Sequence, residues 1–266
     1  MIYRVPAYDP KAPILIIEIG NTQTTLATWQ DDQIKSPLSV PAADHAAFEE
    51  AYAAHIEATP GGAPAATVIG SVVPDVLTRV EAHVASHQEK NALVVGDHIP
   101  LPIDVGVDDA GAIGVDRVCA AATAFDQLKT GCTVVDFGTA VTVDLVDDSG
   151  TLCGGAILPG IVMQLRALHD FTAALPQVEP GLPEGPFGHN TAEAMQIGVI
   201  RGLTGAVRAL VEGYAASLKR WPQVIATGGD LGLMAPHCDF LDTLVDHLAL
   251  RGVALAYTKH MTAARP

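Results

Sequence analysis

A chain of 266 residues, 49% hydrophobic and 5% aromatic, holds enough apolar material for one large core or two smaller ones, which excludes a disordered protein. With 30 acidic against 15 basic residues the formal charge is −15, a field that repels nucleic acid and anionic membranes, so neither is expected as a partner. An anionic substrate must then be held by local groups: backbone amides, a metal ion or a well-placed arginine.

No run of about 18 apolar residues and no basic-then-apolar leader over residues 1–13 is present, so the chain reads as soluble and cytoplasmic. Cys119, Cys132, Cys153 and Cys238 are widely spaced, form no CxxC pair and read as reduced core thiols.

In chain order, the apolar run Ile14 to Ile19, the turn Gly20-Asn21-Thr22 and the alternating Thr24 to Trp29 predict a strand, a tight turn and a second strand. Helical spacing follows over 43–58 and 76–87, with buried strands over 66–71 and 92–95, an α/β alternation. A Gly- and Asp-rich loop over 104–114 leads into a helix from Asp116 to about Leu128.

Cys132 to Phe137, the turn Gly138-Thr139, the strand Val141 to Val146 and the strand Thr151 to Leu158 then repeat the opening pattern. Helices are predicted over 161–175, 191–221 and 248–261, with a strand over 224–227 and a proline- and glycine-rich loop over 176–188.

The segments IIEIGNTQTTLATW (16–29) and VVDFGTAVTVDLVD (134–147) are one construction: apolar strand, acid, glycine turn, returning strand. Two such hairpins heading two α/β halves imply a duplicated fold with two phosphate turns and a cleft between them, the architecture of actin, Hsp70 and sugar kinases. Glycine lets a phosphate approach the backbone, turn amides form an anion-binding concavity, and an acid at a strand end can hold Mg²⁺ through water. Either turn alone reads more readily as an ordinary hairpin; it is their repetition that carries the inference. Thr227-Gly228-Gly229 follows the 224–227 strand, where glycines would admit an adenine or a phosphate, or form a plain strand-to-helix turn.

On these motifs the sequence resembles the type III pantothenate kinases over nearly the whole of 14–257. Glu18-Ile19-Gly20-Asn21-Thr22 is similar to that family's first phosphate loop, Gly70-Ser71-Val72-Val73-Pro74 to its next strand and turn, Gly114-Val115-Asp116-Arg117 to its substrate motif, and Asp136-Phe137-Gly138-Thr139-Ala140 to its second phosphate loop. Gly154 to Gly160, Leu175-Pro176, Asn190-Thr191 and Thr227 to Gly229 follow in the family's order.

The resemblance implies a duplicated actin-like (ribonuclease H-like) α/β fold, two halves over 13–128 and 129–260 with mixed sheets facing across a nucleotide cleft. It implies transfer of the ATP γ-phosphoryl group to pantothenate, the first step of coenzyme A biosynthesis, with Mg²⁺, a monovalent cation (K⁺ or NH₄⁺) and a homodimer. Asp116 would be the general base. Gly114, Val115, Arg117, Val107 and, from the neighbouring subunit, Thr191 would bind pantothenate. Glu18, Gly20, Asn21, Thr22, Thr25, Gly138, Thr139, Gly228 and Gly229 would bind ATP, with Glu18 holding Mg²⁺ and Asp136 the monovalent cation.

Against the family pattern, Glu18 replaces an Asp and reaches about 1.5 Å further, Thr25 replaces a frequent Lys, and Val107, Ala110 and Ala120 replace a Tyr, a Pro and an Asn. These departures leave open a diverged ATP-binding relative with a regulatory role, or a kinase for another small alcohol. His83 and His87 have metal-like i,i+4 spacing, but without a third ligand they read as histidines on a solvated helix face, and His189 as an incidental loop residue.

Overall fold

The protein is described by a computed structural model covering residues 9–263 except positions 10, 60, 61, 110 and 182; Ala110 and most of the 1–13 stretch lie outside the described residues. The chain forms two compact units. One runs to Thr123 and resumes at Leu248, and the other is Ala124–His247.

In the first unit the central strand is β1 (Ile14–Ile19), whose Ile-rich run is buried on both faces. The antiparallel β2 (Gln23–Gln30) and β3 (Gln33–Pro41) lie to one side, and the parallel β4 (Thr67–Ser71) and β5 (Leu93–Val94) to the other. The sheet order is thus β3-β2-β1-β4-β5.

Side chains alternate across a strand. Leu15, Ile17 and Ile19 therefore share one face, where they form a core with Phe48 and Tyr52 of α1 (His45–Ala58) and Val80 and Val84 of α2 (Pro74–His87). The Asp44 carboxylate caps α1 by accepting the Ala47 N–H at 3.0 Å.

Glu18 falls on the opposite face. There α3 (Val115–Leu128) meets α7 (Leu248–Ala263), which packs on β1 and β4. The Thr123 hydroxyl donates to Leu248 O at 3.1 Å, and Gly252 lies so close to the Cys119 backbone that any β-carbon would collide with it.

β3 is not anticipated by the sequence reading. QIKSPLSVP carries two prolines and little apolar alternation, and Ser36 has φ +51°, in the left-handed region. Such a strand persists at a sheet edge, where a missing N–H breaks no inner ladder.

The second unit repeats the arrangement. β7 (Cys132–Phe137) is flanked by the antiparallel β8 (Ala140–Val146) and, beyond it, β9 (Thr151–Pro159), and on its other side by the parallel β10 (Gln223–Thr227) and β11 (Thr243–Leu244). The order β9-β8-β7-β10-β11 is that of the first unit, strand for strand. Two copies of this mixed sheet with flanking helices make the duplicated actin-like fold expected above. A two-residue strand, β6 (Asp104–Val105), lies in the loop that precedes α3.

The long helix α5 (Thr191–Leu218) lays Met195, Val199, Leu203, Val207 and Val211 into the core with Val135, Phe137, Val141 and Val143. By length and composition alone α5 could cross a membrane; its regular i, i+4 line of buried residues is that of a core helix.

α4 (Ile161–Asp170) stops short of the predicted Leu175. Leu175 precedes Pro176, which disfavours helical backbone there, and the Thr172 hydroxyl bridges the exit, donating to Leu168 O at 2.8 Å and accepting from Leu175 N at 3.3 Å. All four cysteines are free; Cys119, Cys132 and Cys238 are buried as expected, whereas Cys153 is exposed on β9.

Candidate active site

In the first unit the turn after β1 is closed by the Gly20 N–H donating to Gln23 O at 2.9 Å, which leaves Asn21 and Thr22 exposed at its tip. Gly20 does not have positive φ, and a β-carbon there would sit 3.3 Å from Gln23 O. What glycine adds at this position is therefore clearance over the turn.

Glu18 is half-buried near the end of β1, with Thr25 across one side and Gly70 across the other. The Thr25 hydroxyl shares a hydrogen bond with Ser39 Oγ at 2.8 Å. Gly70 has a packing role, since a β-carbon would come within 2.7 Å of Val253 Cγ2 on α7.

Asp116 lies in the first turn of α3, and its Oδ1 accepts the Arg117 N–H at 2.7 Å. A β-carbon on Gly114 would collide with that same oxygen, so glycine is what lets the carboxylate fold back over the helix start. Glu18 and Asp116 line one narrow recess together with Ser71, Val115, Cys119 and Val253. Burial pushes the Cys119 thiol well above its ordinary pKa, and the Glu18 and Asp116 carboxylates push it the same way.

In the second unit Asp136 of β7 pairs with Thr142 on one side and Thr227 on the other, positions matching those around Glu18. The two-residue turn Gly138-Thr139 leaves Thr139 exposed. Gly228 has φ +109°, and a β-carbon there would meet both Phe137 O and the Asp136 carboxylate. The Asp230 N–H donates to Phe137 O at 2.9 Å, stitching the glycine motif to the second turn, and burial raises the Asp230 carboxyl above its usual pKa. Gly160 packs beneath the same turn, its N–H donating to Thr139 O at 3.1 Å. Gly229 has no atom within 4 Å of where its β-carbon would stand.

Of the residues singled out in the sequence, the structure thus gathers Glu18, Val115 and Asp116, with Gly114 beside them, and separately Asp136, Gly138 and Gly228. Thr191 is exposed at the first position of α5, where Asn190 and Glu193 form a capping box: Asn190 Oδ1 accepts the Glu193 N–H at 2.9 Å, and Glu193 accepts the His189 N–H at 2.8 Å. Val107 is half-buried in the loop before α3 and lines neither cluster. Cys119, read from the sequence only as a core thiol, lines the first recess with Ala249 and Val253, which the sequence did not single out. Cys119 lies near the i+3 position from Asp116 and was legible in principle; α7 was not.

The donor set suits the cations that the resemblance implies. Two carboxylates lining one recess are the hard oxygen ligands that Mg²⁺ favours. Asp136, with the Phe137 carbonyl beside it at Gly228, offers a second oxygen cradle that a side chain at 228 would fill.

Residues 14–213 match the family model described as type III pantothenate kinase. The type III pantothenate kinase of Geobacillus kaustophilus is 31% identical over 253 residues, 93% of this chain and 98% of that protein. In fold, the chain is similar to a Baf family transcriptional activator from Campylobacter jejuni, with TM-score 0.59 and 18% identity over 92% of this chain and 98% of that one. It is also similar to a ROK family glucokinase from Streptomyces griseus, with TM-score 0.52 and 12% identity over 92% and 99%.

Proposed function

The chain belongs to the type III pantothenate kinase family, and from that premise we infer that it transfers the γ-phosphoryl group of ATP to pantothenate, opening coenzyme A biosynthesis. ATP is the donor, and Mg²⁺, when bound, neutralises charge on the phosphates being transferred.

The observation that carries the assignment of roles is the meeting of Glu18 and Asp116 in one recess. Asp116 accepts the hydroxyl proton of pantothenate as its oxygen attacks phosphorus, and its bond to the Arg117 N–H holds the carboxylate in orientation. Arg117 pairs its guanidinium fork with the substrate carboxylate, while Gly114, Val115 and Val107 border the substrate and Thr191 is contributed by a second subunit. Glu18 holds Mg²⁺. Gly20, Asn21, Thr22, Thr25, Gly138, Thr139, Gly228 and Gly229 receive ATP, and Asp136 holds K⁺ or NH₄⁺.

A homodimer is supported by the exposed side of α5, where Gly198, Gly202, Gly205 and Gly213 have open space beside them, and by the exposed Ile157, Val162, Met163 and Phe171 of the same unit. Free cysteines fit a reducing cytoplasm.

Steady-state kinetics of single variants tests the roles. Asp116→Asn is expected to lower kcat by about 10²–10⁴ with ATP binding retained, and Arg117→Lys to raise KM for pantothenate by about tenfold with a smaller effect on kcat. An Asp116→Asn enzyme with near wild-type kcat would remove the general base from this account.

A further inference from the structure

We propose that His45, Glu49 and His83 form a site for a divalent transition metal of the zinc class, which clamps α1 to α2 on the sheet face opposite Glu18. His45 and Glu49 are i,i+4 neighbours on α1 and point to α2, from which His83 projects between Phe48 and Tyr52, with ring centroids 5.7 and 4.9 Å away. The isolated reading of His83 as a histidine on a solvated face is corrected by this packing, since its side chain is only 10% exposed.

One ligand atom from each of the three residues lies within 4.8 Å of the others. His45 Nε2 and His83 Nδ1 are each 3.4 Å from Glu49 Oε1. Metal–ligand bonds of about 2.0–2.2 Å place tetrahedral ligands about 3.3–3.6 Å apart. Two of the three edges thus already have the length a bound zinc ion requires, and the third is within 4.8 Å.

Two imidazoles and one carboxylate are the ligand types that favour zinc, cobalt or nickel over magnesium, so this site is chemically distinct from the carboxylate recess as well as on the other face of β1. A water molecule would complete the four ligands of a bound zinc ion. His83 also stacks on His87, at 4.2 Å between centroids, while His87 Nδ1 is engaged 2.8 Å from His83 O. This ring stack holds His83 in place beneath the metal. The inference rests on α1 and α2 alone and is independent of the kinase assignment.

The test is calorimetric titration of the chelator-treated full-length protein with Zn²⁺, and with Co²⁺ followed by its visible absorption, beside His45→Gln and Glu49→Gln. Both positions are substantially exposed, with side chains 40% and 49% accessible, so these variants fold. Expected are one saturable site with a tetrahedral Co²⁺ spectrum, affinity lower by at least about tenfold in each variant, and a Zn²⁺-dependent rise in melting temperature in the wild type that each variant diminishes. No saturable Zn²⁺ binding, or wild-type affinity in either variant, overturns the proposal.

Discussion

At the scale of single residues, carboxylates and glycines explain most of the site, and each glycine does something different. Gly228 needs its left-handed backbone and its missing side chain together, because a β-carbon would strike Phe137 O beside Asp136. Gly252 is needed only for close packing of α7 on α3. Gly252→Ala is therefore expected to lower unfolding free energy by about 1–3 kcal/mol in urea titration, an overpacking cost. The thiols give a second test. Burial pushes Cys132 up to about 12, against a smaller lowering by Arg220, and raises Cys119 and Cys238 as well; Cys153 is also raised, but it alone of the four is exposed. At neutral pH a thiol reagent should label Cys153 alone, with the other three reacting only on unfolding, as read by mass spectrometry. Glu18 and Asp136 were legible from the repeated strand-acid-glycine pattern, and Asp116 only through the resemblance of Gly114-Val115-Asp116-Arg117 to the family's substrate motif. His45 and Glu49, the partners of His83 in the proposed metal site, were not, because they come from another helix, and spacing within one helix cannot show what lies across from it.

At the scale of elements, long apolar strands and capped helices could be read directly, and edge elements could not. β1, β2, β7 and β8 have unbroken apolar or alternating runs, and each lies within about a residue of its expected place. β3 and β11 are short or proline-bearing edge strands, held by a neighbour rather than by their own pattern. That α7 returns to the first unit was likewise hidden: its apolar residues show that it is buried, not which sheet covers it. The capping box of α5 allows a local test. Asn190→Ala removes the acceptor for the Glu193 N–H and is expected to cost about 1 kcal/mol of stability. Restoration by Asn190→Ser, followed by thermal unfolding, would separate capping from any contact of this loop with substrate.

At the scale of the whole molecule, duplication accounts for the two acids: strands in the same order carry Glu18 and Asp136 at corresponding places, each next to a glycine turn. The net charge of −15 opposes an anionic nucleotide and an anionic acceptor alike, so binding depends on local amides, Arg117 and bound cations, and Glu18→Gln should raise the Mg²⁺ concentration for half-maximal rate by about tenfold. The central claim is the acceptor. The purified protein should be incubated with ATP, Mg²⁺, K⁺ and pantothenate, and phosphopantothenate identified by mass beside a reaction lacking pantothenate. ADP release that depends on pantothenate, with one phosphopantothenate formed per ADP, is the predicted result. ATP binding with no phosphorylated pantothenate under any of these conditions would contradict it.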